Sequence, residues 1–158
     1  MPNDLDVMSL MQIDLSERQN DPYFSFRFRV EIDNVTVANV SEVSGLQIET
    51  ETENYREGGV NNFVHRFPKG VKYQPLVLKR GLTDPDFLWG WYKAVRTKII
   101  TRKNVAIILM DSRGEDKWRW TFQGAYPIKW TGPALKADSN TIAFESIELV
   151  HQGIIDSK

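Results

Sequence analysis

The residues best suited to chemistry in this 158-residue chain are its two histidines and its clusters of charged side chains. His65 and His151 lie far apart in the sequence, and neither belongs to a spacing typical of a metal site. The chain contains no cysteine, which excludes disulfides and thiolate chemistry. GxSxG and GxxxxGK(S/T) motifs are also absent from the sequence. We therefore expect both histidines to be structural or surface residues, and we expect no catalytic residue, metal ion or cofactor.

An acidic segment, residues 42–57, is a second candidate for chemistry, because paired carboxylates about 5–9.5 Å apart can hydrolyse glycosides. Its polar residues repeat with the period of two of a β-strand and share one face, namely Gln47, Glu49, Glu51 and Glu53. Leu46 and Ile48 fall on the other face, so the pleat predicts that the glutamates point away from the core. We interpret this face as solvated rather than catalytic.

A basic segment is the third candidate. Residues 93–103 contain five basic side chains and no acid, and they follow Trp89, Trp91 and Tyr92. Basic and aromatic residues together can bind single-stranded nucleic acid. The net charge of −1, however, argues against a general nucleic-acid binder. We interpret the aromatic residues as part of the core.

One helix is predicted over residues 84–97. Thr83 and Asp84 are N-cap residues, Pro85 suits the first helical position, and Asp86 places an acid in the first turn. An apolar stripe at helical spacing follows, made of Leu88, Trp91, Tyr92 and Val95. This stripe predicts a single face packed on the core.

The rest of the chain has the period-two pattern of strands. Apolar and polar residues alternate over 23–32, and Asp33-Asn34 predicts a turn into a returning strand at 35–40. Further strands are predicted at 46–53, 63–67, 71–80, 104–110, 118–123, 126–130 and 140–150. A turn at Pro68-Lys69-Gly70 and an extended loop at about 54–62 separate some of them. The fold class is therefore mainly β with one flanking helix.

Length predicts one domain, and the 41% hydrophobic and 26% charged fractions are ordinary for a globular protein. We assign 1–20 to an N-terminal arm, 21–153 to the domain and 154–158 to a C-terminal tail. The first twenty residues lack a basic region and a continuous apolar run, so they do not resemble a Sec signal. We expect the chain to fold in the cytoplasm and, if released, to leave by another route.

Several short motifs, in this order and spacing, resemble the tail-tube family, the inner-tube proteins of contractile-tailed phages and phage-like extracellular contractile injection systems. The resemblance covers about residues 21–153. The motifs are Asp21-Pro22-Tyr23, Val43-Ser44-Gly45-Leu46, Tyr55-Arg56-Glu57-Gly58-Gly59, Pro68-Lys69-Gly70, Leu78-Lys79-Arg80-Gly81, Trp89, Trp91-Tyr92 and Glu145-Ser146-Ile147-Glu148-Leu149. The type VI secretion tube protein shares the implied fold but matches these motifs less well.

The resemblance implies a two-sheet β-barrel or sandwich and a structural role without catalysis. Six subunits would form a ring, and rings would stack into a conduit for cargo inside a contractile sheath. The implied partners are other copies of the chain, the sheath protein, baseplate and tube-cap proteins, and cargo in the lumen. The extended loop would contact the neighbouring ring or subunit through Tyr55, Arg56, Glu57, Gly58, Gly59, Val60 and Asn61. Gly58 and Gly59 would supply backbone freedom there.

The glutamate face can then be assigned to the tube. Gln47, Glu49, Glu51 and Glu53 are candidates to line the lumen, where Arg27, Arg29 or Lys72 could relieve their mutual repulsion. Placement on the outer surface, facing the sheath, is the competing interpretation. Two other functions stay open, a monomeric ligand-binding β-barrel and an enzyme with an unrecognised site. Either would show a cleft or an enclosed pocket, whereas a tube subunit satisfies its strand edges with other copies.

Overall fold

The computed structural model describes residues 22–56, 58–59, 64–84 and 86–157. The predicted class, mainly β with two sheets and one flanking helix, is confirmed. The helix α1 is Phe87–Arg96. The strands are β1 Phe28–Ile32, β2 Val35–Val37, β3 Val40–Ser44, β4 Ile48–Tyr55, β5 His65–Tyr73, β6 Leu76–Gly81, β7 Lys103–Met110, β8 Asp116–Thr131, β9 Phe144–Val150 and β10 Gly153–Ser157.

The main sheet is antiparallel, with the strand order β2-β1-β7-β8-β9-β6-β3. Its central strand β8 has two parts with different partners. The first part pairs with β7 and β10, and the second part pairs with β9. Gly124, which has a φ of 56°, lies between the two parts. One long strand therefore belongs to both halves of the sheet. The β4–β5 hairpin forms a separate two-stranded sheet.

The core lies between the two halves of the main sheet and the helix. Alternating residues of five strands point into it, as expected for strands with one covered face. Phe122 of β8 is fully buried at its centre. Buried neighbours in the same cluster are Val30, Ile32, Leu76, Leu78, Leu88, Trp91, Val105, Ile107, Ala125, Ile147 and Leu149. Residues from both halves thus form one continuous core.

The helix carries its predicted stripe but is shorter than expected. Leu88 and Trp91 are buried, and Tyr92 and Val95 pack against the core at its margin. The helix begins at Phe87 rather than at residue 84, and Asp86 at its N-cap makes no side-chain capping hydrogen bond. The predicted first position, Pro85, lies outside the described residues. The prediction erred because two candidate caps, Thr83 and Asp84, precede the true one.

Two strand predictions near the start of the chain are corrected in part. Strand β1 begins at Phe28, and Phe24 and Phe26 are exposed rather than part of a core face. The following hairpin with β2 is confirmed. Asp33 and Asn34 have φ values of 49° and 64°, the left-handed pair that a tight two-residue hairpin turn requires.

The predicted turn at Pro68–Gly70 is wrong, because strand β5 continues through it. Glu51 pairs with Gly70 and Thr52 pairs with Pro68, which leaves Lys69 as the extra residue of a β-bulge. A bulge accommodates a proline that cannot donate to the ladder. The loop between β4 and β5 is accordingly later than predicted, after Tyr55 and before His65.

The ends of the chain differ from each other. Residues 154–158 were assigned to a C-terminal tail, but Gly153–Ser157 form β10, which pairs with β8. Ile154 packs against the core, which explains why this segment is held. The proposed N-terminal arm, 1–20, lies outside the described residues.

In the part of the chain that is described, no helix is both long and apolar enough to cross a membrane.

Candidate assembly surface

The β4–β5 hairpin is the most exposed regular structure among the described residues. Its strands pair with each other and are not part of the main sheet. All eight residues of β4 are exposed, although Ile48 is apolar and 55% exposed. On β5, Phe67 and Val71 are exposed by 55% and 56%. Apolar side chains are thus exposed on a hairpin that no other part of the described chain covers.

The two faces of the hairpin have different chemistry. Directly paired residues share a face, and the pairs Ile48–Tyr73 and Thr50–Val71 make one face largely apolar. The opposite face carries the predicted glutamates Glu49, Glu51 and Glu53, and near the loop it becomes aromatic. There, the Tyr55 and Phe67 rings lie 6.4 Å apart, edge to face. The hairpin is therefore amphipathic, with an aromatic end on its acidic face.

This geometry corrects the reasoning that placed the glutamates. The sequence argument assumed that Leu46 and Ile48 belong to a core face, but they are 43% and 55% exposed. Neither face of the hairpin is buried by the residues that the structure describes. The alternation of the two faces holds, but the apolar face is not a core face.

The expected charge neighbours of the glutamates are also partly corrected. Lys72 lies directly opposite Glu49 in the hairpin. Arg27 instead donates to the carbonyl oxygens of Asp111 and Ser112. Arg29 pairs with Asp116 at 2.6 Å and with Glu31 at 3.1 Å. Only the lysine therefore lies beside the acidic face.

The predicted interface loop is described in part. Tyr55 is the last residue of β4, and the exposed Arg56 follows it. Gly59 has a φ of 114°, a conformation that strongly favours glycine. The remaining predicted loop residues, Glu57, Val60 and Asn61, lie outside the described residues. Gly58 is exposed, with open space where a Cβ would stand.

The two histidines do not meet. His65 stacks on Phe67 in the hairpin, with ring centroids 6.2 Å apart. His151 lies between β9 and β10, where its Nε2 is 3.2 Å from the carbonyl oxygen of Gln74. Within the described ranges, no group of three or more His, Cys, Asp or Glu side chains could hold a metal ion.

A buried charged cluster escaped the sequence analysis. Arg80 donates from Nε to Glu145 Oε1 at 2.7 Å, and Trp130 Nε1 donates to Glu145 Oε2 at 2.8 Å. The Glu145 side chain is fully buried and that of Arg80 is 5% exposed. The signal was available, since each charge occupies a core-facing position, after Leu76 and Leu78 in β6 and before Ile147 and Leu149 in β9. Two opposite charges at core positions of strands predict a pair.

A second charged network lies on the outer face of the main sheet. Glu31 accepts hydrogen bonds from Arg29 and Arg119, at 3.1 and 2.8 Å. Burial acts to raise the pKa of Glu31, but these two guanidinium groups outweigh it and hold the pKa below its ordinary value. The hydrogen bonds to Asp116 and Glu31 raise the pKa of Arg29 in turn. This network ties β1 to β8 at the surface, across the intervening strand β7.

These features define a subunit built to associate: a filled core, no ligand cluster in the described part, and an amphipathic hairpin left in solvent. The chain belongs to the T4-like virus tail tube protein gp19 family, whose model matches residues 24–155. It is a structural tail tube protein of a contractile injection system or phage tail, and not an enzyme. It is therefore a component of such a particle. No curated protein sequence matches the chain.

Solved structures of similar chains lie in tail-like particles. A chain in the sheath–tube complex of PVC, an extracellular contractile injection system in the extended state, is 26% identical with a TM-score of 0.81, covering 90% of this chain and 97% of that one. A chain in the anti-feeding prophage baseplate is 28% identical with a TM-score of 0.78, covering 87% and 96%. One in the tube-terminating cap of that prophage is 26% identical with a TM-score of 0.80, covering 87% and 91%.

Proposed function

We propose that six copies of this chain form a ring and that the rings stack into a hollow tube through which cargo passes. The observation that carries the proposal is the exposure of Ile48 and Val71 on one face of a hairpin that lies outside the main sheet. Apolar faces of this kind mark association surfaces in soluble proteins. Membership of a tail tube family supports a closed ring as the form of association.

Open sheet edges support the same proposal. β2 and β3 are the outer strands of the main sheet, and each has no further strand partner among the described residues. The unpaired backbone groups of an edge strand can pair with a strand of another chain, and a closed ring leaves no edge unpaired. The partners in this proposal are other copies, the sheath, the baseplate and the cap, together with cargo. The similar chains in sheath–tube, baseplate and cap complexes support those partners.

Light scattering tests the ring directly. The mass of the full chain should rise with concentration from one subunit to six, and negative-stain images of concentrated samples should show rings and tubes. A chain that stays monomeric at micromolar and millimolar concentrations would contradict the proposal. The single-chain alternative, a ligand-binding β-barrel, predicts that outcome.

The loop of Tyr55, Arg56, Glu57, Gly58, Gly59, Val60 and Asn61 is proposed to contact the neighbouring ring or subunit. Gly59→Val is the test, because a β-branched residue at a φ of 114° is strained by about 1–2 kcal/mol. Circular dichroism should remain that of the wild type while tube growth is hindered. Gly114→Val is a matched control, since Gly114 has a φ of 82° in a different turn. Normal tubes from the Gly59 variant would exclude the loop from stacking.

We further propose that Gln47, Glu49, Glu51 and Glu53 line the lumen. An acidic bore would repel acidic cargo along most of this face, with the Tyr55 and Phe67 rings confined to its loop end. Because the chain lacks cysteine, Glu49→Cys and Glu51→Cys provide unique labelling sites. In preassembled tubes, maleimides too large to enter the bore should react slowly at both positions. Fast reaction with those reagents would place the glutamates on the outside.

A further inference from the structure

A basic surface lies at the end of helix α1, away from the β4–β5 hairpin. Residues 93–103 contribute five basic side chains. One of them, Lys103, is paired with Asp33 at 3.1 Å. The other four are exposed and form no ion pair with any residue that the structure describes. These four, which we call the basic patch, are Lys93, Arg96, Lys98 and Arg102.

The contacts that the basic patch makes do not neutralise its charge. The Lys93 ammonium lies over the Trp89 ring, 5.7 Å from its centroid, and the Arg102 guanidinium lies over the Tyr126 ring at 4.9 Å. Arg102 also donates to the carbonyl oxygen of Gly124 at 3.3 Å. Aromatic rings and carbonyl groups carry no net charge, so four positive charges remain on this surface.

The chain after the helix folds back on the last helical turn and gathers the basic patch. The backbone N–H of Lys98 donates to the carbonyl oxygen of Val95 at 3.0 Å. The indole Nε1 of the buried Trp91 donates to the carbonyl oxygen of Thr101, also at 3.0 Å. The helix dipole favours cations in the last turn, where Lys93 lies. Residues beyond that turn need another reason to be basic.

Two isoleucines make the same surface amphipathic. Ile99 and Ile100 are exposed by 64% and 56%. The neighbouring tryptophans offer no free ring face for base stacking, because Trp91 is buried and Trp89 packs on Trp130 with centroids 4.6 Å apart. Single-stranded nucleic acid is bound through such faces. Cations beside aliphatic side chains instead match a peptide that carries both acidic and apolar residues.

The chain contains a segment of that composition, residues 1–21. Five of the 21 acidic side chains of the protein lie in it, against one of the 20 basic side chains. Seven apolar residues lie between Leu5 and Leu15. The acidic residues are Asp4, Asp6, Asp14, Glu17 and Asp21. The segment and the basic patch therefore have opposite charges, and each also has apolar groups.

The segment is long enough to reach the basic patch of its own chain. Pro22 follows it, close to the Met110 end of β7, where the Met110 N–H donates to the carbonyl oxygen of Arg27 at 2.8 Å. The basic patch lies at the other end of β7, beside Lys103. A strand of eight residues spans about 25 Å, whereas 21 residues can extend to about 70 Å. Covalent attachment also favours docking on the same chain over docking on a second copy.

We propose that residues 1–21 dock on the basic patch of the same chain, with their carboxylates facing its cations and their apolar side chains covering Ile99 and Ile100. An exposed ion pair changes an equilibrium constant by about one- to fivefold. Docking therefore depends on several pairs acting together with the isoleucines. This binding site is independent of ring formation.

Spin labels on the full chain measure the docking. Because the protein lacks cysteine, Ser9→Cys in the segment and Thr36→Cys, at an exposed position of β2, provide unique sites. The doubly labelled chain is diluted into excess unlabelled chain, so that only distances within one chain are measured. The distance distribution should be narrow at low salt. It should broaden in 1 M salt, where the screening length falls to about 3 Å.

Charge reversal tests the cations of the basic patch. Lys93→Glu combined with Lys98→Glu should raise the undocked population by about two- to thirtyfold and broaden the distribution. Lys69→Glu combined with Lys136→Glu is the matched control, since it changes the net charge equally at two exposed lysines outside the patch. Its distribution should stay narrow. Circular dichroism establishes that both variants are folded.

Replacement of the isoleucines tests the apolar part of the site. Ile99→Ser combined with Ile100→Ser should also broaden the distribution, because the segment then has no apolar surface to cover. Leu135→Ser combined with Ile142→Ser is the control, since these two residues are exposed by 83% and 70% elsewhere on the chain. That control should give the narrow distribution of the wild type.

Several results would overturn the proposal. These are a broad distribution in the wild type, a narrow one in either patch variant, and a narrow one that persists in 1 M salt. A narrow distance between two chains that carry one label each would place the segment on a neighbouring copy. A broad wild-type distribution, together with oligonucleotide binding that Lys93→Glu and Lys98→Glu abolish, would assign the patch to nucleic acid. Should the lysine variant fail to fold, the salt response and the isoleucine variant decide.

Discussion

Strand β7 of the main sheet and strand β4 of the hairpin have the same length, eight residues, but opposite surroundings. In β7 four consecutive residues, Val105–Ile108, are buried, so both faces of the strand are covered. In β4 every residue is exposed. The first strand takes its stability from burial within one chain, whereas the second has apolar groups that no described residue covers. We therefore expect the main sheet to determine the stability of the subunit and the hairpin to determine its assembly. Mutations in the two sheets should then change these two properties separately.

The largest loss of stability is expected in the body, at the buried charged cluster. Glu145→Leu leaves the Arg80 guanidinium buried without its carboxylate, which should lower the free energy of unfolding by about 3–5 kcal/mol. The double variant Arg80→Met, Glu145→Leu should recover part of this loss, since the buried charge is removed although the Trp130 indole N–H loses its acceptor. Urea unfolding of the two single variants and the double variant measures the coupling. Additive losses would show that the pair is not coupled.

A core truncation should have the next largest effect. Leu78 is fully buried, so Leu78→Ala should cost about 2–5 kcal/mol through lost burial and the cavity left behind. Val71→Ala, in the hairpin, is the matched control and should change stability by about 0.5 kcal/mol or less. Thermal and urea unfolding report both values. A loss at Val71 as large as that at Leu78 would mean that the hairpin is packed within the single chain.

The surface network of the body should give a smaller, pH-dependent effect. The pKa of Glu31 is depressed in the folded chain, so the unfolded chain binds more protons and stability rises with pH. The contribution is fully present above the ordinary value near 4.5 and is lost as the pH falls through the lower folded value. Glu31→Gln should cost about 1–2 kcal/mol at pH 7.

Comparing the stability of wild type and Glu31→Gln in acid provides the control for this prediction. Wild type and Glu31→Gln should converge in stability as the pH falls from about 4.5 through the lower folded pKa of Glu31, because the carboxylate of the folded wild type then becomes protonated. Urea unfolding at a series of pH values measures the difference. A gap that stays constant down to low pH would mean that the carboxylate charge is not what stabilises the network.

The smallest effect on stability should accompany the largest effect on assembly. Ile48→Ser combined with Val71→Ser removes apolar groups that are exposed in the single chain, so the free energy of unfolding should change by about 0.5 kcal/mol. Ring formation should nevertheless be lost, because the face proposed to be covered by a neighbour becomes polar. Light scattering of the folded variant decides. Rings of normal mass would show that this face stays in solvent after assembly.

The sequence predicted the body better than the hairpin, for a physical reason. The period-two pattern at Val30 and Ile32 and the helical stripe at Leu88 and Trp91 each describe a face covered by the same chain. The same pattern at Ile48 does not reveal which chain provides the cover, so an exposed face was interpreted as a core face. Period-two alternation reports that a face is apolar, and not what lies against it.

The other wrong or missing predictions concern single strands and their neighbours. Pro68 and Gly70 are typical turn residues, but pairing with β4 keeps them in an extended strand, with Lys69 bulged out. The pair of Arg80 and Glu145 was not predicted, although both charges fall at core-facing positions of paired strands. Residues 154–158 were assigned to a C-terminal tail, although Ile154 packs against the core.

The strand pairing also implies an order of folding. The β4–β5 hairpin joins neighbouring segments, whereas β1 pairs with β7, bringing Val30 beside Ile107, and β6 pairs with β9, bringing Leu76 beside Leu149. Local pairs close faster than distant ones, so we expect the hairpin to form before the body can enclose its core. Pulsed hydrogen exchange during refolding should then protect the amides of β4 before those of β7. Each refolding chain would then expose the apolar face of its hairpin before its core is complete. Slow dilution is therefore the safer route to refolding.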